Sequence, residues 1–315
     1  MTPPPGVPAA GTPLVLRGRE VGRGTDGVLR PVVMAIVNRT TDSFYAPARL
    51  ADDGAALEAA HRAWSDGAQI LDVGGVRAGV GPEVGEAEEI DRVVPLVARV
   101  REQVPDLLVS VDTWRSGVAR EAVAAGADLV NDTWAGHDPE LVEVAGAAGV
   151  GVVCSHTGGA VPRTDPYRVE YPPAGTGRDG DPRDGLLDDV VATLRASAAR
   201  AVGCGVPPSS VLVDPTHDFG KNTWHSLHLV RRTATLAGLG HPLLMALSRK
   251  DFVGETLGLP PDERLEGTLA ATAVAAWLGA TVFRAHDVAA ARHALDMVAA
   301  VRDDAPPRRA ARGMA

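Results

Sequence analysis

Three apolar runs late in the chain each give out onto a cluster of polar side chains. Val211-Leu212-Val213 leads into Asp214-Pro215-Thr216-His217-Asp218-Phe219-Gly220-Lys221-Asn222. Leu243-Leu244-Met245-Ala246-Leu247 leads into Ser248-Arg249-Lys250, and Thr281-Val282-Phe283 into Arg284-Ala285-His286-Asp287. One carboxylate (Asp214), two ammonium groups (Lys221, Lys250), two guanidinium groups (Arg249, Arg284) and an imidazole (His286) therefore follow the ends of short apolar segments. Compact cations and forked donors suit an anion such as a diphosphate. Each charge-assisted hydrogen bond to it contributes about 1.5–3 kcal/mol. A helix starting after Asp287 would add dipole and free N–H groups.

Earlier apolar runs end in residues of a different kind: Asn38, Asp72-Val73-Gly74-Gly75, Asp112, Asn131-Asp132 and Ser155-His156. Asn38 can give its carbonyl oxygen to a hard cation such as Mg2+ that also bridges to phosphate; it can equally be a turn residue. Asp112, Asn131 and Asp214 offer acceptors and a donor for the edge of a fused nitrogen heterocycle, and Asp112 can stabilise a developing cation. Asp112 can also be the cap of a helix beginning near Arg115. His156 alone reads more readily as a hydrogen-bonded core histidine than as a catalyst.

Eight apolar runs carry these residues: Val32–Val37, Ile70–Val73, Leu107–Val111, Leu129–Asn131, Val150–Cys154, Val211–Val213, Leu243–Leu247 and Thr281–Phe283. Their length and β-branched content predict strands. Amphipathic patterns between them predict helices over 55–66, 86–102, 115–125, 139–148, 185–202, 224–237, 262–278 and 288–302. The second is the clearest, with Ile90, Val93, Val94, Val97 and Val100 on one stripe. Eight strand–helix alternations predict an α/β chain folded as a single (β/α)8 TIM barrel. A doubly wound open sheet is the rival, but polar residues recur at every strand end rather than at one crevice. Residues 1–13, rich in Pro, Gly and Ala, read as a disordered N-terminal tail. The barrel spans 14–302, with 303–315 as a flexible C-terminal tail. A small hairpin between Leu14-Val15-Leu16 and Val28-Leu29 would close the bottom. The segment from Thr157 to Asp184, dense in Pro, Gly and Arg, is long enough to be a functional lid or a disordered stretch.

The net charge is −9, which argues against nucleic acid as a partner and requires any anionic ligand to be drawn by a local cationic cluster. Only two cysteines occur, Cys154 and Cys204, with no CxxC pair. That disfavours structural zinc and a disulfide framework and suits a reducing compartment. No apolar run is long enough to span a membrane and no signal peptide is visible, so a soluble, cytoplasmic protein is expected.

As a set, the strand-end motifs resemble those of dihydropteroate synthase. They are Asn38-x-Thr40-x-Asp42-Ser43-Phe44, Asp72-Val73-Gly74-Gly75, Ser110-Val111-Asp112-Thr113, Asn131-Asp132, Asp214-Pro215-x-x-x-Phe219-Gly220-Lys221-Asn222, Ser248-Arg249-Lys250 and Arg284-x-His286-Asp287. The resemblance runs from about Pro31 to Arg302. It implies a transferase of folate biosynthesis that joins p-aminobenzoate to 6-hydroxymethyl-dihydropterin diphosphate and releases diphosphate. It also implies Mg2+ as cofactor and a homodimer. Asp112 and Lys250 would be catalytic; Asp112, Asn131, Asp214 and Lys221 would hold the pterin. Arg284 and His286 would hold the diphosphate, with Asn38 as the metal ligand. Lys250, Ser248 and Phe219 would face p-aminobenzoate, and Arg249 belongs to the same substrate-binding set.

Several stretches depart from the family's pattern. Arg39 and Thr41 replace a small apolar residue and a proline of the first loop. Val76-Arg77-Ala78-Gly79-Val80-Gly81 replaces the family's Glu-Ser-Thr-Arg-Pro-Gly. Thr216-His217-Asp218 replaces Gly-Phe-Gly, and Trp114 is unusual. The pterin and phosphate halves look kept while the second-substrate half is altered. The sequence therefore supports two main readings: a synthase, with p-aminobenzoate or another amine as acceptor, and a pterin-binding paralogue without synthase activity. A folate-dependent one-carbon transferase is a third, disfavoured by the absence of a thiol cluster.

Overall fold

The computed structural model describes residues 11–39, 53–164, 169–172, 181 and 183–312. The first-loop residues Thr40, Thr41, Asp42, Ser43 and Phe44, most of the N-terminal tail and much of the 157–184 segment lie outside the described residues.

Eight parallel strands form one sheet: β3 (Val32–Asn38), β4 (Ile70–Gly74), β5 (Leu108–Asp112), β6 (Leu129–Asp132), β7 (Gly151–Ser155), β8 (Val211–Asp214), β9 (Leu244–Met245) and β10 (Val282–Ala285). Their spatial order is β8-β7-β6-β5-β4-β3-β10-β9. A parallel bridge between Val213 and Leu243 brings β8 to β9 and closes the ring. The chain is thus a (β/α)8 barrel, as the alternation predicts.

Two-residue alternation along each strand sorts its side chains. Val33, Ala35, Leu71, Val73, Val109, Val111, Val130, Val152, Val211, Val213 and Phe283 point outward and are buried under the helices. Val32, Met34, Ile70, Leu108, Leu129, Val153, Leu212, Leu244 and Val282 form a separate cluster that fills the barrel's lower interior. Leu14, Leu16 and Val21 belong to that inner cluster. They come from a hairpin of β1 (Val15–Leu16) and β2 (Arg19–Glu20). The hairpin does plug the bottom, but it turns at Arg17-Gly18, two residues after it starts, rather than reaching Val28-Leu29. The left-handed backbone of Arg17 and Gly18 permits that tight turn; Leu29 instead pairs with Arg23 in an isolated bridge.

The surrounding helices are α1 (Asp53–Ser65), α2 (Glu86–Gln103), α3 (Ser116–Ala124), α4 (Leu141–Ala148), α5 (Asp184–Gly203), α6 (Thr223–Arg231), α7 (Thr233–Ala237), α8 (Asp251–Leu257), α9 (Leu265–Trp277) and α10 (Val288–Val301). Two differ from the sequence expectation. The helix expected over 224–237 breaks at Arg232 into α6 and α7. The short α8, directly after Lys250, was not anticipated: seven residues show too little periodicity to be read. Asn222 opens α6 with a reciprocal capping box, its side chain accepting from His225 N–H. Asp112 caps nothing, because the residue before α3 is Arg115. None of the described helices is long and apolar enough to cross a membrane. Beyond α10, Ala305 is buried and Arg308 bonds to Asp296.

Candidate functional site

The inward parity that places Met34, Ile70, Leu108, Leu129, Leu212, Leu244 and Val282 in the barrel floor continues upward. Two residues on come Ile36, Asp72, Ser110, Asn131, Asp214, Ala246 and Arg284; two further come Asn38, Gly74, Asp112, Ser248 and His286. The apolar floor thus becomes a polar upper interior through sequence alone. A cavity of about 300 Å3 opens above it at the C-terminal ends of the strands, the end at which barrels of this kind do chemistry. Its wall includes Asn38, Asp112, Asn131, Asp214, Phe219, Ser248, Arg249, Lys250, Arg284 and His286.

At the strand end of this cavity the charges answer each other. Arg284 donates from Nε to Asp72 Oδ2 at 2.6 Å and from Nη2 to Asp112 Oδ2 at 2.9 Å. Asp72 is fully buried and also accepts from Ser110 Oγ at 2.6 Å and Asn131 Nδ2 at 3.1 Å. Asp112 accepts from Thr133 Oγ1 at 2.6 Å. Burial outweighs the Arg284 guanidinium and lifts the Asp112 carboxyl to about 6, with the Asp72 charge pushing the same way. Burial likewise raises Asp214, against Lys250 and the Thr216 N–H that reaches Oδ1 at 2.7 Å. His286 Nδ1 lies 2.9 Å from Ser248 Oγ. Burial, with Arg284 and Arg249 nearby, depresses His286 to about 3, so the ring is neutral and pairs with a hydroxyl rather than an anion.

The loop end is built otherwise. Lys250 donates to the carbonyl of His217 and lies 4.6 Å above the Phe219 ring centre. Phe219 meets Trp134 edge-on at 5.1 Å. His217 is wholly buried against Phe252, and neither ring nitrogen has a partner among the described residues. Burial therefore holds it far below the ordinary histidine value. Asp218 and Arg77 also line the cavity. From the 157–184 segment, Thr164 joins the wall while Arg163 reaches the carbonyl of Gly79 at 3.4 Å.

All but one of the predicted site residues meet in the cavity, but two have other work. Lys221 does not line it. Its ammonium lies beneath the wall and donates to the carbonyls of His156, Thr216 and Phe219 at 2.7, 3.2 and 2.9 Å, fixing the loop after β8. Arg249 reaches the cavity, yet its guanidinium forks onto Asp287 at 2.9 and 3.1 Å and donates to the carbonyls of Pro261 and Asp262. It ties loops together. Several residues escaped the sequence reading as site members, among them Asp72 and Trp134. Asp72, the anchor of Arg284, shares the inward parity of Ile70, a signal present in the sequence. Trp134 follows Asn131-Asp132-Thr133, where an aromatic residue gives no local sign of facing a cavity.

A model of the pterin binding enzyme family matches residues 34–286. The chain belongs to the pterin-binding enzyme family. Within it, a Mycobacterium leprae protein named inactive dihydropteroate synthase 2 is 55% identical over 286 residues, covering 91% of this chain and 96% of its own length. The dihydropteroate synthase of Bacillus subtilis is 36% identical over 261 residues, 82% of this chain and 84% of that enzyme. A dihydropteroate synthase of Coxiella burnetii, solved in complex with pteroic acid, superposes with a TM-score of 0.74 at 32% identity, covering 87% of this chain and 94% of the other. The family resemblance and the barrel are thereby established. Of the two main readings, the relatives favour the paralogue without synthase activity over the synthase.

Proposed function

We propose that this chain binds a pterin in the cavity above the barrel and does not condense it with p-aminobenzoate. The observation that carries the proposal is the convergence of Asp112, Asn131 and Asp214 on one wall, with Arg284 beside them. Two carboxylates and an amide provide the acceptors and donor that a bicyclic N–H edge requires. Support for lost condensation comes from the second half of the cavity, where Val76, Arg77, Ala78 and Gly79 form the wall and the family's Thr-Arg-Pro triplet is missing. The highly identical relative named inactive points the same way.

Magnesium belongs to the proposal in a restricted form. No group of three His, Cys, Asp or Glu side chains among the described residues could cage a metal. Asn38 offers a single amide oxygen close above Gly74, with Asp112 on the far side of that glycine. That fits an ion which keeps most of its waters and shares a ligand's diphosphate, where it would neutralise phosphate charge. A homodimer is also proposed; the exposed Val274 on α9 and Met297 and Val301 on α10 would suit a covered face. A reducing, cytoplasmic setting accords with two free thiols, the Cys154 thiol pushed up to about 12 by burial.

The test is titration calorimetry with 6-hydroxymethyl-dihydropterin diphosphate, run alongside a dihydropteroate assay. Binding without product is expected. Affinity should fall as pH drops below about 6, because Asp112 then takes up a proton and ceases to accept from the ligand's N–H groups. Absence of any binding heat defeats the pterin reading; dihydropteroate formation defeats the loss of activity.

A further inference from the structure

At the α8 end of the cavity a carboxylate of the chain itself, Asp218, occupies the backbone N–H groups that open α8. Asp218 Oδ2 accepts the N–H of Asp251 at 2.7 Å and of Phe252 at 3.4 Å. Its Oδ1 accepts from Ser226 Oγ at 3.0 Å, and Ser226 Oγ in turn accepts the Asp218 N–H at 3.2 Å. Three donors and a left-handed backbone at φ 68° hold this side chain in one place.

The cations around it have acidic or carbonyl partners as well. Lys250 is drawn onto the His217 carbonyl and the Phe219 ring, and the Asp218 and Asp214 charges act on it. Arg249 is forked onto Asp287, and Arg264 pairs with Asp251 at 2.9 Å. Asp251 adds a second carboxylate to the same wall. A ligand carboxylate entering here would meet two like charges and would have to displace Asp218 from its donors. Like charges a few ångströms apart in a partly desolvated site are strongly unfavourable. Phe219 and Trp134 supply the aromatic surface of this part of the cavity wall.

We infer that Asp218 is a specificity-determining residue: it makes this end of the cavity reject anionic aromatic acids such as p-aminobenzoate and accept an aromatic ring bearing an uncharged substituent. The inference rests on the pterin reading of the same cavity, which supplies the other occupant. It deepens that reading by naming what the second subsite takes, and it gives a physical reason for the absence of condensation with p-aminobenzoate.

The probes are p-aminobenzoate and p-aminobenzamide, nearly the same shape and differing in charge. Each is titrated against the full chain alone and after loading with the pterin diphosphate. The parent is expected to bind the amide at least about tenfold more tightly than the acid, a difference of about 1.4 kcal/mol. Asp218→Gly removes the charge and suits the positive φ, while Asp218→Asn keeps the shape and the turn. Both should raise p-aminobenzoate affinity about tenfold or more and leave p-aminobenzamide within about threefold. Circular dichroism and the melting temperature check that the variants fold. If the parent binds acid and amide equally, or if neither variant gains affinity for the acid, the inference is overturned while pterin binding stands. If pterin fails to bind, the proposed function falls and the titrations on the unloaded chain decide this inference separately. Failure of both probes to bind in either state overturns it.

Discussion

The two ends of the cavity are made from different material. Arg284, Asp72, Asp112, Asn131 and Ser110 stand on β10, β4, β5 and β6. The ladder sets their register, pairing Asp72 with Ser110 and Asp112 with Asn131. A side chain there cannot move without moving a strand, so hydrogen bonds of 2.6–3.1 Å form without adjustment of the backbone. The opposite end stands on loops. Thr216, Asp218 and Arg249 all take positive φ there, a conformation costing roughly 1–3 kcal/mol for a residue with a side chain. For Thr216 the surrounding bonds offset it, from its N–H to Asp214 and from its hydroxyl to the Asp214 carbonyl. A loop so held can exchange residues without disturbing the barrel. It is at this end that the chain departs from the synthase pattern, while the strand end keeps it.

The largest effect should come from the strand end. Arg284→Met leaves Asp72 and Asp112 as uncompensated neighbours in a buried network. A loss of about 3–5 kcal/mol is expected, read by urea denaturation. A loss under about 1 kcal/mol would mean that the network does not hold this part of the barrel.

A smaller change of opposite sign is expected at the loop end. His217→Leu removes two buried ring nitrogens that have no partner, and a gain of about 1–2 kcal/mol is expected. The gain should grow with acidity. The folded-state pKa of His217 lies well below its ordinary value, so the parent loses stability as pH falls below about 6.5, where the unfolded imidazole takes a proton and the buried one does not. Thermal melts of parent and variant across that range measure the difference. A gain that stays constant with pH would contradict the assignment.

The smallest effect belongs to Arg163→Ala. A single 3.4 Å bond to Gly79 is weak, and stability should change by less than about 0.5 kcal/mol. A larger loss would show that the 157–184 segment is bound to the Val76–Gly81 loop more firmly than the strand and loop ends differ.

Much of this was legible beforehand. The eight apolar runs gave the barrel, and the residue after each gave most of the site, because a parallel strand delivers its C-terminal residue to the rim wherever it stands in the ring. Lys221 and Arg249 show the limit. Both are cations in motifs that resemble substrate-binding ones, yet one is bound by three carbonyls and the other by Asp287 and two carbonyls. Local sequence cannot tell a cation that meets a ligand from one that ties loops, since the deciding partners lie as far as 65 positions away. Arg249 and Asp287 are 38 apart.

What the sequence determined by itself is the periodicity: which side chains face inward, where the apolar floor ends and where the polar layer begins. That follows from the two-residue repeat of a strand and needs no partner. Which charges are paired across the barrel, which lysine lies beneath the wall and where Asp218 turns its carboxylate were decided only when the ring closed. Those contacts join residues from strands and loops distant in the chain, and their energies depend on distance and burial, which no local pattern encodes.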